Sequence, residues 1–225
     1  MPKKHKAWIH VGMAGTADAI EPALAHHHEA LVELGVASIA QTPAESFRAA
    51  VELTRSHKAW GLKRGDVEGQ WTRMVRRAQK SRADLAFSQP LLATATADQI
   101  ALLIDALAGH QVHVVVTTGL DDESDAITRW AAAVRKPERL HVIETDGMDP
   151  ADVWKAFGKV VGFGTTSLRL DAVPQATAAV QSLPEAMREL ERLSRRNASL
   201  EVRLEELDRR RRKLKRKLGK LDDVA

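Results

Sequence analysis

The chain has 225 residues, which is enough for one sizeable core and an appendage. It contains no cysteine, which excludes disulfide bonds, thiolate metal ligands and a cysteine nucleophile. The net charge of +4 is uneven, because residues 182–225 hold 14 Lys or Arg against 9 Asp or Glu, while the rest of the chain holds 20 against 21. We therefore expect any anionic partner at the C-terminal segment.

The first 161 residues alternate between short apolar stretches and segments with helical periodicity. No apolar stretch is long enough for a signal-peptide core or a membrane span, so we expect a cytoplasmic protein without a transmembrane segment. The alternation predicts a mostly parallel sheet flanked by helices. In chain order, the predicted strands are 7–11, 36–40, 83–88, 111–117 and 140–145, and the predicted helices are 18–34, 43–56, 66–81, 97–109, 122–135 and 150–161.

Three helix starts have specific signals. Thr42 and Thr96 each open a capping-box spacing, and Asp149 precedes a proline at the first helical position.

Residues 162–181 have no periodic pattern, so we interpret them as a connector between an α/β domain (1–161) and a C-terminal helix (182–225).

The C-terminal helix shows apolar residues at heptad spacing, which predicts a coiled coil. Asn197 is a polar residue at one a position, a feature that sets register and favours a parallel pair. We therefore expect a homodimer, with folding of this helix over the domain as the alternative. The predicted dimerisation residues are Leu183, Leu190, Leu193, Asn197, Leu200, Leu204, Leu207, Leu214, Leu218 and Leu221.

Eight of the nine residues from 209 to 217 are basic. They fit either a solvated helix face that pairs with nearby glutamates, or a contact with nucleic acid or an anionic membrane surface. No aromatic residue interrupts the run to stack on bases, which argues against specific reading of DNA. The candidate anion-binding residues are Arg209, Arg210, Arg211, Arg212, Lys213, Lys215, Arg216 and Lys217.

The stretch from Trp8 to Thr16 closes the first strand and opens a helix, where phosphate-binding loops lie. In its residues it resembles the opening of the bacterial sulfotransferase family. The similarity continues in 23–36, in the segment from Trp71, in 97–117 and in 139–157. The resemblance implies a P-loop-like fold and transfer of a sulfuryl group from 3′-phosphoadenosine 5′-phosphosulfate. It also implies that Gly12, Gly15 and Thr16 lie in the donor-binding loop.

The sequence departs from the family pattern wherever charge or a base is needed. The loop lysine of the family falls at Gly15, and its next residues fall at Ala17, Asp18 and Ala19. The candidate base, a histidine in Ser-His-Glu, falls at Gln89. The arginine that meets the 3′-phosphate falls at Gly119, before an acidic group that fits a helix start better than a site for a hard cation.

These departures favour a degenerate, non-catalytic relative with no bound cofactor, no metal and no catalytic residue. It would act by dimerisation or by binding a partner through its coiled coil. The alternative is an active sulfotransferase with a divergent loop, in which Lys58, Lys63 or Arg64 supplies the missing cation. Other histidines carry weaker signals: we expect His26–His28 on a solvated helix face, and His10 and His113 packed in or beside strands.

Overall fold

In the computed structural model, the described residues are 4–12, 19–119, 124–134, 136–170 and 173. They belong to one compact unit within residues 1–176. Five strands form a sheet in the order β2-β3-β1-β4-β5, and each neighbouring pair is parallel. The predicted α/β class, a parallel sheet with helices on both faces, is confirmed for this unit. The predicted coiled coil lies outside the described residues and stays a prediction.

The elements follow the predicted order with adjusted boundaries. The strands are β1 (Lys6–Gly12), β2 (Val36–Ser38), β3 (Asp84–Ser88), β4 (Gln111–Thr118) and β5 (Leu140–Glu144). The helices are α1 (Ile20–His26), α2 (His28–Glu33), α3 (Pro43–Leu53), α4 (Arg64–Val67), α5 (Gln70–Gln79), α6 (Ala97–Asp105), α7 (Ser124–Val134) and α8 (Pro150–Val161). Short 3-10 turns at Pro90–Thr94 and Pro137–Arg139 were not predicted.

The sheet separates two apolar clusters because successive side chains of a strand point to opposite faces. On one face, Ile9 and Val11 pack with residues of α3, α5, α6 and α7. On the other face, Trp8 and Val115 pack with residues of α1, α2 and α8. β1 is the central strand and is buried on both sides, which accounts for its unbroken apolar sequence.

The predicted helix starts are confirmed by their hydrogen bonds. Thr42 Oγ1 accepts from the backbone N–H of Glu45 at 3.2 Å. Thr96 and Gln99 form a reciprocal capping box, and Asp149 Oδ1 accepts from the N–H of Asp152 at 2.8 Å. Each of these bonds satisfies a backbone donor that the first turn of a helix leaves without an intrahelical partner.

Two predicted helices are each divided in the structure. The helix predicted at 18–34 breaks at His27, whose Nε2 lies 3.0 Å from the carbonyl oxygen of Arg169. The helix predicted at 66–81 breaks at Gly69, which has a φ of +74°, a conformation that glycine adopts without strain. The N–H groups of Gly69 and Trp71 donate to the carboxylate of Glu52, which fixes the start of α5 against the end of α3.

Residues 162–170 pack back on the α1–α8 face. Gly162 ends α8 with a φ of +102°, and the chain then returns so that Phe163 and Leu168 are buried beside Trp154. The indole N–H of Trp154 donates to the carbonyl oxygen of Leu168 at 2.8 Å. The first part of the predicted connector is therefore part of the core.

Candidate functional site

The carboxyl edge of the sheet, formed by the loops that follow the five strands, is where ligands bind in open parallel sheets. Here β1 leads towards β2 on one side and β4 leads towards β5 on the other, so β1 and β4 flank the topological switch point. Gly12 ends β1 at this edge, Gln89 follows β3 and Gly119 follows β4. Gly15 and Thr16, predicted in the donor-binding loop, lie outside the described residues.

His10 joins three central strands just below this edge. Its side chain is fully buried, with Nδ1 2.7 Å from Ser88 Oγ on β3 and Nε2 3.1 Å from Thr117 Oγ1 on β4. Phe157 of α8 packs against the ring, with the two ring centroids 5.6 Å apart. Burial lowers the pKa of His10 to about 3, so the imidazole is neutral near pH 7. The buried ring therefore links the hydroxyl groups of Ser88 and Thr117.

Gln89, which the sequence resemblance aligned with a candidate base, has a structural role. Its side-chain NH₂ lies 3.2 Å from Glu21 Oε1 and 3.3 Å from Ser46 Oγ, and the Ser46 hydroxyl donates to the carbonyl oxygen of Ser88 at 2.9 Å. These bonds tie α1 and α3 to the end of β3. An amide cannot accept a proton from an acceptor hydroxyl near neutral pH, so Gln89 cannot serve as a general base.

In the sequence, the five segments that follow the strands (13–19, 39–42, 89–96, 119–123 and 145–149) contain no Lys, Arg or His. They contain six acidic residues, one after β1, three after β4 and two after β5. Acidic residues also occupy the first turn of the helix that follows each strand: Glu21, Glu45, Asp98, Asp125 and Asp152. Carboxylates are stabilising at helix N-termini and disfavour a phosphosulfate or a bisphosphate nearby. Two arginines reach this edge from within helices: Arg77 pairs with Glu45, and Arg129 donates to the carbonyl oxygens of Ala93 and Ala95.

The three basic residues considered as substitutes for the loop lysine follow the end of α3. Ser46, near the start of α3, contacts the end of β3 at the carboxyl edge. From Ser46 the helix runs about 10 Å away from this edge, at about 1.5 Å per residue, before it ends at Leu53. Arg64 forms an ion pair with Glu68 at 3.0 Å, and both side chains are exposed. Lys58 and Lys63 are also exposed.

A second polar cluster lies on the α1–α8 face, towards the opposite edge of the sheet. His113 Nδ1 is 3.1 Å from His141 Nε2, and the His113 ring packs on Trp8 with ring centroids 4.5 Å apart. Burial, followed by the charge of His141, lowers the pKa of His113 to about 4. His113 Nε2 and Trp8 Nε1 are buried and have no hydrogen-bond partner within the described ranges.

The structure thus places His10 and His113 as buried strand residues, as predicted. It also reveals two site residues that the sequence reasoning did not single out, Ser46 and Thr117. In the parts of the chain that are described, no three His, Asp or Glu side chains come together as a metal site. No helix there is long and apolar enough to cross a membrane. Asp121, Asp122 and Glu123 lie outside the described residues.

Comparisons with known proteins assign no family. No protein family and no curated protein sequence matches the chain. Among solved structures, the signal recognition particle receptor FtsY from Elizabethkingia anophelis, in complex with GDP, is 20% identical, with a TM-score of 0.37. The similarity covers 72% of this chain and 56% of the receptor chain, so the chain spans about half of that protein. A similarity this low assigns neither a family nor a ligand.

Proposed function

We propose that this chain is a non-catalytic, sulfotransferase-like protein that acts by binding, with two copies held together by the C-terminal heptads. The observation that supports it is the composition of the five segments that follow the strands, which contain six acidic residues and no basic residue. The arginines that contact these segments, Arg77 and Arg129, are engaged with Glu45 and with backbone carbonyl oxygens. Sulfuryl transfer builds negative charge on the leaving oxygen, and its catalysis needs cationic groups or other strong donors at that point.

A further argument concerns the general base. His10, the histidine nearest to the end of β1, is fully buried and has both ring nitrogens within hydrogen-bond distance of hydroxyl groups. Its pKa of about 3 makes it a poor proton acceptor at neutral pH. Gln89 occupies the position of the family histidine, and its amide group holds helices in place.

The deciding experiment is calorimetric titration of the full chain with adenosine 3′,5′-bisphosphate, the spent form of the donor. We expect no binding of the nucleotide at the carboxyl edge up to millimolar concentration, and no sulfuryl transfer from the activated donor to phenolic, alcoholic or amine acceptors. An active sulfotransferase in the same buffers serves as the positive control. Turnover by the purified chain would overturn the proposal and favour the divergent enzyme.

A gain-of-binding variant tests the resemblance itself. In Gly15→Lys, a cation returns to the position at which the family has its loop lysine, and Asp18→Thr removes a carboxylate from the same loop. If the loop descends from a sulfotransferase, the double variant should bind the bisphosphate measurably more tightly than the parent chain. A double variant that folds normally and shows no gain would contradict that origin.

A further inference from the structure

A cavity of about 450 Å³ lies at the amino edge of the sheet, which we define as the segments that precede the five strands. Its lining includes Lys4, His5, Lys6, Arg82 and Asp84. The seven residues of β1 separate it from the carboxyl edge by about 20 Å, at about 3.3 Å per residue. It is therefore distinct from the site at which a sulfuryl donor would bind.

The charge of this cavity is positive. Lys4, Lys6 and Arg82 face one carboxylate, Asp84, which already has partners. Asp84 Oδ1 accepts from the backbone N–H of Lys6 at 2.9 Å and lies 3.4 Å from His5 Nδ1. The Lys6 ammonium is 5.0 Å from the centroid of the Trp8 ring, within reach of a cation–π contact that restricts its position.

Arg82 has a backbone conformation that an ordinary side chain adopts only at a cost. Its φ is +53°, and it follows the end of α5, where glycine usually takes the left-handed conformation. A cation near the end of a helix offsets the dipole of the helix, but Lys80 already provides one there. The dipole therefore explains the charge but not the strained backbone, and what separates Arg82 from Arg55, which has the same conformation, is its place in the lining of the cavity.

We propose that this cavity, the amino-edge pocket, binds the phosphate group of a small phosphorylated molecule. Arg82 supplies the planar fork that suits phosphate, and Lys4 adds a second positive charge at the rim. The volume exceeds that of a phosphate group, and the partly exposed Val32 lines the remaining space, which suits a compact apolar or sugar moiety. The concave shape and small number of cations fit a small molecule better than an extended nucleic acid.

Two arginines with the same backbone conformation make the test specific. Arg55 also has a positive φ, at +55°, and it is exposed on a different loop after α3. In both Arg82→Gly and Arg55→Gly the left-handed strain is relieved, so neither variant should lower the melting temperature. Only Arg82→Gly changes the pocket. A loss of binding in that variant is then separated from a loss of folding.

The measurement is titration of the full chain with phenyl phosphate at constant ionic strength. We expect the parent chain and Arg55→Gly to bind with equal affinity, Arg82→Gly to bind at least tenfold more weakly, and Lys4→Gln to lose several-fold. Benzoate, a monoanion with the same ring, should bind at least tenfold more weakly than phenyl phosphate. The absence of binding by the parent chain, or equal affinities of the parent chain and Arg82→Gly, would overturn the proposal. Equal binding of benzoate would exclude the phosphate assignment.

The same variants separate this pocket from the proposed function. If adenosine 3′,5′-bisphosphate binds to the parent chain and to Arg55→Gly but not to Arg82→Gly, the nucleotide occupies the amino-edge pocket. That result would support the pocket and leave the carboxyl edge without a nucleotide.

Discussion

His10 connects the central strand to both of its neighbours through side-chain contacts with Ser88 and Thr117. We predict that His10→Ala lowers the free energy of unfolding by about 3 kcal/mol, because it leaves a cavity and deprives the buried Ser88 hydroxyl of a partner. Urea unfolding measures the change. His26→Ala, at an exposed position in α1, is the matched control and should change stability by less than about 0.5 kcal/mol. Equal stability of the two variants would contradict a structural role for His10.

The same histidine makes stability depend on pH. The pKa of His10 falls from 6.5 to about 3 on folding, and that of His113 falls to about 4. A group with a lowered pKa stabilises the folded state above its unfolded pKa and loses that contribution as the pH falls towards the folded value. Stability should therefore decrease steadily from pH 6.5 to pH 4, with His10 alone contributing about 1.4 kcal/mol per pH unit. Urea midpoints that are constant between pH 6.5 and pH 5 would contradict this.

At the scale of elements, the end of α8 depends on a close approach that only glycine allows. A Cβ on Gly158 would lie 2.6 Å from Thr165 Cγ2 and 3.0 Å from the carbonyl oxygen of Phe163. Gly158→Ala should therefore destabilise the protein by about 1–3 kcal/mol, although alanine is the better helix former. Gly65→Ala in α4 is the matched control, because a Cβ there meets nothing within 4 Å, and it should be neutral or stabilising. Thermal unfolding compares the two, and equal effects would contradict the packing argument.

The elements that could be predicted are those whose signals are local. Thr42, Thr96 and Asp149 cap helices through bonds to residues three positions away, so sequence spacing alone identifies them. The break at Gly69 depends on Glu52, 17 residues earlier, and the contact of Ser88 with His10 spans 78 residues. Such pairings become visible only when the strand order is known. The parallel sheet was therefore predictable, whereas the buried polar network beneath the carboxyl edge was not.

At the scale of the α/β unit, the direction of the helices and the charges of the loops are connected. Each helix that follows a strand begins at the carboxyl edge, and acidic residues there stabilise its N-terminus. Basic residues such as Lys80 and Lys136 lie where helices end, at the amino edge. A phosphate-binding sheet overrides this tendency by placing cations at the carboxyl edge. In the described residues, the arginines that reach this edge are already engaged, Arg77 with Glu45 and Arg129 with the carbonyl oxygens of Ala93 and Ala95. We therefore expect anion binding at the amino edge and in the basic segment 209–217.

The proposed pairing of two copies can be tested on the whole chain by sedimentation equilibrium. Leu200 is at a d position of the predicted seam, and Val202, two residues later, is at an outward f position. Leu200→Asp places a carboxylate in the seam. At micromolar concentration we expect the parent chain to have twice the monomer mass and the variant to have the monomer mass. Val202→Asp makes the same kind of change on the solvated side and should leave the mass unchanged. If the parent chain is monomeric, or if both variants dissociate equally, the heptads do not form a seam in this register, and the binding role has to be sought in the α/β unit.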